Sequence, residues 1–163
     1  MRQNIFKTTI LPIVDKLFRL ALSITRNKED AEDVVQDVLL HIWKKDDWEK
    51  IDSIEAYCFR STRNRALDTI ALKDNQTEAL TDDYDCPARD NFEKRLEAQE
   101  QIDLVEKWLT KLPEKQQTIF RLREVEELSY KEIAAVLGIN EEQVKIILFR
   151  IRQKLKEYFD KNL

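Results

Sequence analysis

The only glycine of the chain, Gly138, separates two segments that both carry signals for the start of a helix. Before it, the run from Ser129 to Glu132 has the spacing of a capping box, in which each of these side chains bonds the other residue's backbone amide. After it, Asn140 and Gln143 repeat the signal. Glycine commonly ends a helix because it adopts the left-handed backbone conformation without a Cβ penalty. The segment therefore predicts two helices joined by a short turn.

The second of these helices, predicted to run to about Phe159, has one apolar and one partly basic face. The inward stripe comprises Val144, Ile147, Leu148, Ile151 and Leu155, and the outer face comprises Glu142, Lys145, Ile146, Phe149, Gln153 and Lys156, with Arg150 at its flank. Two capped helices of this kind form the helix-turn-helix that places its second helix in the DNA major groove. An ordinary helical hairpin with a solvent-exposed charged face is the alternative. Phe149 suits contact with thymine methyl groups, or else packs on another part of the chain.

The rest of the chain contains few residues that break helices. It has three prolines, and 37% of its residues are charged, which favours an all-α fold over a sandwich or barrel. Apolar periodicity and cap signals predict helices over 13–24, beginning after Pro12, from Asn27 to Trp43, from Ser53 to about Leu72, over 92–110 and over 114–124.

Charge divides the chain into unequal parts although the net charge is only −4. Residues 1–74 carry 13 basic and 13 acidic side chains, residues 75–106 carry 3 and 10, and residues 107–163 carry 12 and 9. The stretch 74–92 lacks apolar periodicity and contains Pro87. The sequence therefore predicts two small helical domains, 1–73 and 93–163, joined by a flexible acidic linker, 74–92, with a helix-turn-helix in the second domain.

Several function classes are disfavoured by what the sequence lacks. The chain has one histidine, His41, and two cysteines, Cys58 and Cys86, without the spacing of a metal site. No phosphate-binding glycine loop is present, so we expect neither a cofactor nor an enzyme. No apolar run approaches the roughly 18 residues that a membrane span needs. With no signal-peptide pattern either, the expected location is the cytoplasm without membrane insertion.

Three segments in order resemble the sigma factors of bacterial RNA polymerase, in the sigma-70 family and its extracytoplasmic-function (ECF) group. Residues 112–155 resemble the domain that reads the promoter −35 element. Residues 18–45, which contain DAEDVVQDVLLHIWKK, resemble the segment that docks on polymerase, and AYCFRSTRNRALD, residues 56–68, resembles the −10 recognition helix.

This resemblance implies an alternative sigma factor, which is not an enzyme and has core RNA polymerase (β′ and β subunits) and promoter DNA as partners. It assigns polymerase binding to Asp30, Glu32, Asp33, Val35, Gln36, Asp37 and Trp43. It assigns the −10 element to Trp48, Arg60, Arg63, Asn64 and Arg65, and the −35 element to Asn140, Glu142, Gln143, Lys145, Ile146, Phe149 and Arg150. An anti-sigma factor is a further expected partner.

Alternatives remain open at several of these positions. The acidic residues of the docking segment equally suit a solvent-exposed helix face, and Trp48 and Tyr57 suit a core role as well as base stacking. The family often has Ser-Arg where this chain has Ile146-Ile147, and the basic pair that usually follows the −10 helix is missing after Asp68. A free-standing helix-turn-helix regulator and a helical protein-binding adaptor are the alternative functions.

Overall fold

The computed structural model describes residues 2–76 and 96–162, and these residues form helices joined by short turns. The first part contains α1 (Arg2–Ile5), a π-helical turn (Phe6–Ile10), a 3-10 turn (Leu11–Ile13), α2 (Val14–Thr25), α3 (Lys28–Lys44), a 3-10 turn (Trp48–Lys50) and α4 (Ile54–Gln76). The second contains α5 (Leu96–Leu109), α6 (Glu114–Glu124), α7 (Tyr130–Leu137) and α8 (Glu141–Asn162). The prediction of an all-α fold is confirmed.

Local capping bonds explain where the N-terminal helices begin. The Asn27 side chain accepts a hydrogen bond of 3.0 Å from the backbone N–H of Asp30 at the start of α3. Ser53 does the same for Ala56 at the start of α4, at 3.1 Å. Each bond satisfies one of the amides that the first turn of a helix leaves unpaired. Both caps lie where the sequence placed them.

The chain before Pro12 is also helical, which the sequence analysis did not anticipate. Pro12 lies inside the 3-10 turn that joins the preceding π-helical turn to α2. Proline is tolerated there because the first turn of a helix has unpaired amides in any case. Ile10 is fully buried, so this N-terminal segment contributes to the core.

The predicted linker begins later than expected. Helix α4 continues to Gln76 rather than ending near Leu72, so residues 74–76 are helical. Residues 77–92, which carry the rest of the predicted acidic linker, and the predicted start of the next helix at Phe92 lie outside the described residues. The domain boundaries at 73 and 93 stay a prediction.

One apolar core runs through both helical domains. Its buried residues come mainly from α2, α3 and α4, and also from α6, α7 and α8. A smaller cluster of Trp108, Leu109, Phe120 and Ile151 packs α5 against α6 and α8. Helix α7 packs on α4 and α6 contacts α2. The two domains therefore lie against each other, an arrangement that the sequence pattern did not predict.

Candidate nucleic-acid interface

The helix-turn-helix is formed by α7, the Gly138 turn and α8. Ser129 Oγ accepts from the Glu132 amide and Glu132 Oε1 accepts from the Ser129 amide, both at 3.0 Å, so the capping box is complete. Gly138 ends α7 with φ of 69° and ψ of 35°, in the left-handed region. Asn140 and Gln143 then exchange bonds of 2.8 and 3.0 Å at the start of α8.

The outer face of α8 is exposed along its first three turns. Phe149 keeps 61% of its surface exposed and Ile146 keeps 43%. Within residues 2–76 and 96–162, Phe149 is therefore not buried by another part of the chain, and the alternative of such packing is wrong for these residues. Lys145 and Arg150 are exposed beside these two apolar residues. The face combines apolar surface with cations, a combination that suits thymine methyl groups and phosphates.

The remaining −35 candidates lie at the start of the same helix. Asn140 and Gln143 are exposed, but their side chains already cap α8, so they fix its first turn before any contact with DNA. Glu142 is exposed on the same turn. A carboxylate repels phosphate, so Glu142 favours contact with a base edge over contact with the DNA backbone.

The −10 candidates on helix α4 differ in exposure and in whether they pair with a carboxylate. Arg60 and Asn64 are exposed. Arg65 is also exposed, but Nη2 lies 2.7 Å from Asp37 Oδ2 on α3. Arg63 is mostly covered and forms a two-point ion pair with Glu114 of the second domain, with Nε–Oε2 of 3.1 Å and Nη2–Oε1 of 2.7 Å. Among these three arginines, Arg60 is therefore the one without an ion pair to a carboxylate of the described residues.

The assignment of Trp48 to the −10 element is wrong in this structure. Its side chain is 9% exposed and belongs to the apolar core, so its ring presents no face for stacking with an unpaired base. The core alternative is the one that the structure favours. The sequence of the loop from Lys45 to Ser53 does not indicate whether Trp48 is buried or exposed, because the loop has no apolar periodicity that would distinguish the two.

Tyr57 is better placed than Trp48 to meet a base. It is half-buried, and its hydroxyl lies 3.1 Å from His41 Nε2. Lys45 Nζ lies 5.1 Å from the centre of the Tyr57 ring, a cation–π distance. Asp47 hydrogen-bonds Lys45, which raises the pKa of that ammonium and lowers the pKa of Asp47. His41 and Lys45 could not be identified from the sequence, because they meet Tyr57 only through the packing of α3 on α4.

An open groove between α3 and α4 borders this cluster. Besides Val38 and Leu40, it is lined by polar or charged residues: Asp37, His41, Lys44, Ser61, Asn64, Arg65 and Asp68. Two of them, Asn64 and Arg65, belong to the −10 set, and Asp37 belongs to the polymerase set. The structure therefore brings parts of two predicted sites to the same edge of the domain.

The predicted polymerase-binding residues on α3 also divide by exposure. Glu32, Asp33, Gln36 and Asp37 are exposed. Asp30 is partly covered and pairs with Lys73 of α4 at 2.5 Å. Trp43 is 38% exposed, and its ring lies nearly perpendicular to the Phe6 ring, with centroids 5.2 Å apart. Leu40, 56% exposed, extends the same face and was not in the predicted set.

The assignment of Val35 to polymerase binding is also wrong in this structure. It is 6% exposed and packs in the core, so it cannot contact polymerase in this conformation. Its neighbour Val34 is 1% exposed, and both belong to the inward stripe of α3. Adjacent positions on a helix lie 100° apart, and the apolar stripe of a helix is commonly at least that wide. Val34 and Val35 can therefore both be buried in the same stripe.

Within residues 2–76 and 96–162, no helix is long and apolar enough to cross a membrane. In the same residues, no three histidine, cysteine, aspartate or glutamate side chains lie together in a way that would hold a metal ion.

Comparison with known proteins identifies the two helical domains separately. The family model for sigma-70 region 2 matches residues 12–76, and the model for sigma-70 region 4 matches residues 102–155. The first match covers α2 to α4, and the second covers most of α5 and continues through most of α8.

Curated relatives agree with these matches over almost the full chain. SigE of Mycolicibacterium smegmatis, an ECF RNA polymerase sigma factor, is 30% identical over 151 residues, which are 91% of this chain and 59% of SigE. The chain thus spans about three fifths of the length of SigE. SigM of Bacillus subtilis, also an ECF sigma factor, is 26% identical over 155 residues, 92% of either chain.

Solved structures share the arrangement of helices. CnrH, solved in complex with the cytosolic domain of CnrY, superposes with a TM-score of 0.68 at 26% identity, covering 99% of this chain and 91% of CnrH. The sigma factor RpoE of Bartonella quintana, solved with the anti-sigma factor NepR, gives 0.70 at 23% identity, covering 95% and 96%. At that identity the second match establishes the fold alone. With regions 2 and 4 both matched in order, the chain belongs to the sigma-70 family of RNA polymerase sigma factors, in its ECF group.

Proposed function

We propose that this chain is an alternative sigma factor, which binds core RNA polymerase and directs initiation at promoters through their −10 and −35 elements. The observation that carries the proposal is the order of the two matched regions together with the exposed outer face of α8. A free-standing regulator would need only the helix-turn-helix and leaves the region 2 match unexplained. In this role the chain supplies specificity and the polymerase supplies the chemistry in the cytoplasm.

The outer face of α3 is the proposed docking site for the β′ subunit. Glu32, Asp33 and Gln36 are exposed and point away from the core. Leu40 and Trp43 add apolar surface to the same helix. Interfaces commonly combine an apolar centre with a polar rim, and aromatic residues are enriched among the positions that contribute most to affinity. Asp30 and Asp37 contribute less, because each already pairs with a cation of α4.

The −10 element is assigned to the exposed part of α4 and the adjoining groove. Arg60 offers a cation for phosphate, and Asn64 offers amide groups for a base edge. Tyr57, with Lys45 near its ring, offers an aromatic surface beside a positive charge. Single-stranded nucleic acid is bound by this combination of stacking surface and cations.

The −35 element is assigned to the outer face of α8. At Ile146-Ile147 the family often has Ser-Arg. Ile146 and Phe149 provide apolar contact, and Lys145 and Arg150 provide the charge. Such contacts read thymine methyl groups and position the helix on the backbone. We therefore expect a −35 element in which thymines face this helix. An anti-sigma factor is a further proposed partner, in keeping with the family.

Transcription in vitro with purified core enzyme tests the proposal. We expect specific transcripts only when this chain is added, with start sites that define common −10 and −35 sequences. The double variant Phe149→Ala/Arg150→Ala should abolish transcription that depends on the −35 element while core binding persists. Lys161→Ala is a matched control, because it removes one exposed cation near the far end of the same helix.

Two results would contradict the proposal in different ways. Absence of binding between the wild-type chain and core enzyme at micromolar concentration would refute the sigma-factor function altogether. Unchanged transcription by the double variant would leave the function standing but refute the assignment of the −35 surface, and would favour the protein-binding adaptor for the second domain.

A further inference from the structure

The hydrogen bond between His41 of α3 and Tyr57 of α4 can run in either direction. The Tyr57 hydroxyl lies 3.1 Å from His41 Nε2, and the two rings are inclined by 20° with centroids 6.5 Å apart. A hydroxyl group can donate or accept, whereas an imidazole nitrogen accepts only while it carries no proton. The protonation of His41 therefore decides which of the two groups donates.

Lys45 favours one direction of this bond while His41 is neutral. Its Nζ lies 5.1 Å from the centre of the Tyr57 ring and 3.0 Å from Asp47 Oδ1. The hydrogen bond to Asp47, with a smaller contribution from Tyr57, raises the pKa of Lys45, so the ammonium group keeps its charge. An ammonium group has no lone pair and cannot accept the hydroxyl hydrogen. The lone pairs of the Tyr57 oxygen are therefore drawn toward Lys45, and the hydrogen is donated to His41 Nε2.

Protonation of His41 reverses the bond. A charged imidazole ring has an N–H group at both nitrogens and can only donate, so Nε2 then donates to the Tyr57 oxygen. The hydroxyl hydrogen is no longer engaged by His41 and can be donated to a group bound in the adjoining groove. Histidine is the side chain that ordinarily changes its charge between about pH 5 and pH 8, and His41 is the only histidine of the chain.

Charged groups of both signs surround His41. It is exposed, so its ring exchanges protons with water without opening of the fold. The neighbours on α3, on α4 and in the loop between them are Asp37, Lys44, Lys45, Asp47, Arg65 and Asp68. Asp37 is paired with Arg65, and Asp47 is paired with Lys45. The carboxylates of these pairs are therefore already compensated by a cation.

We infer that His41 is a positioning residue that sets, through Tyr57, which base the −10 surface prefers. With His41 neutral, the Tyr57 oxygen offers a lone pair to an amino group, which adenine and cytosine carry. With His41 protonated, the Tyr57 hydroxyl offers its hydrogen to a keto oxygen, which thymine and guanine carry. The base preference at one −10 position therefore changes with pH. This role in base selection rests on the proposed function, whereas the direction of the His41–Tyr57 bond does not.

Nitrogen NMR of the imidazole ring tests the direction of the bond in the full chain without DNA. The chain, prepared without a histidine tag, gives one set of ring signals because it has one histidine. At about pH 8 we expect the ring proton on Nδ1, since Nε2 accepts from Tyr57. Tyr57→Phe removes the donor but keeps the aromatic ring, so it should move the proton toward Nε2. A proton on Nε2 in the wild type at this pH would overturn the inference.

Binding of forked promoter DNA by the complex with core enzyme tests the base preference. The probes leave the non-template strand of the −10 element unpaired and carry each of the four bases in turn at every −10 position. At one position, the affinity ratio of adenine or cytosine probes to thymine or guanine probes should fall by about threefold to tenfold between about pH 8 and about pH 6. This range corresponds to the net contribution of one hydrogen bond.

Two variants separate positioning from a merely structural role. Tyr57→Phe and His41→Gln should each give the same base ratio at both pH values. Glutamine can still hydrogen-bond Tyr57 but does not titrate, so His41→Gln should keep overall binding and lose only the response to pH. A structural role of His41 would instead change binding of all four bases alike.

Lys44→Gln is the matched control, because Lys44 is exposed and lines the same groove. Loss of this cation should weaken binding of all four bases to a similar extent and leave the response to pH intact. All variants are compared on the same core enzyme, so titration of the polymerase itself cancels.

A base ratio that does not change with pH in the wild type would overturn the role of His41, and so would a response to pH that survives in His41→Gln. In both cases the complex still forms and binds the probes, so the proposed function stands. Failure of the wild-type chain to bind core enzyme would refute the sigma-factor function and base selection with it, while the NMR result on the free chain is unaffected. The two failures are therefore distinguishable.

Discussion

Replacing Gly138 by alanine isolates the backbone requirement of the turn between α7 and α8. The residue has φ of 69°, and a Cβ built on it would have no heavy atom within 4 Å. The cost therefore comes from the left-handed conformation alone, about 1–2 kcal/mol. Alanine also restricts the unfolded chain, which offsets about 0.4–1 kcal/mol. The net loss should be near 1 kcal/mol, which lowers the Tm of a chain of this size by about 2–4 °C.

Urea unfolding followed by far-ultraviolet circular dichroism, with Gly138→Asn as the matched variant, measures this cost. Asparagine is larger than alanine but adopts the left-handed conformation more readily. Because the space around the Cβ is open, we expect Gly138→Asn to be more stable than Gly138→Ala. If the asparagine variant is equally or more destabilised, side-chain volume and not backbone conformation sets the cost, and the reasoning is wrong.

Four further substitutions separate local, buried and surface roles. Ser129→Ala removes one bond of the capping box and should cost about 1 kcal/mol in urea unfolding, whereas an unchanged midpoint would mean that the Glu132 half suffices. Burial raises the pKa of Cys58 to about 12, above its ordinary value of 9.0. The neutral thiol is therefore favoured in the folded state, and its contribution to stability is complete below pH 9 and is lost as pH rises toward 12. The pH dependence of the urea midpoint should accordingly be steeper in that range for the wild type than for Cys58→Ala. Val35→Ala should lower the free energy of unfolding by about 1–3 kcal/mol, because Val35 is buried. Gln36→Ala should leave that free energy unchanged and weaken binding to core enzyme. The reverse pattern would contradict the placement of the two residues on α3.

The features predicted correctly from the sequence are those that depend on near neighbours. Asn27, Ser53 and Ser129 cap helices through bonds to amides three residues away. Gly138 is identified by its position between two such caps. These signals are visible in sequence because the donor, the acceptor and the backbone geometry all lie within one helical turn.

The features that were missed depend on residues far apart in the chain. The ion-paired residues Arg63 and Glu114 are separated by 51 residues, and the ion-paired residues Arg19 and Glu126 by 107. A helical period states which face of a helix is apolar, but not which other helix covers it. Val35 and Trp48 were misassigned for the same reason, since a polymerase-docking valine or a base-stacking tryptophan has the same apolar side chain as a core residue. Exposure, which only the fold determines, distinguishes them.

Charge explains why the two DNA surfaces should act through polymerase and not alone. Affinity for DNA depends heavily on the number of phosphates that a protein neutralises. Residues 107–163 carry 12 basic and 9 acidic side chains, and Arg152 is already paired with Glu124. In the first domain, Arg63 and Arg65 are also paired with carboxylates. Within the described residues, these ion pairs lower the number of cations that each domain can offer to phosphates. Docking through α3 would hold the chain on core enzyme, where a second contact becomes intramolecular and a weak surface acts at a high effective concentration. Apolar contacts from Ile146 and Phe149 can then decide specificity without the long-range attraction that would hold a free sigma factor on nonspecific DNA.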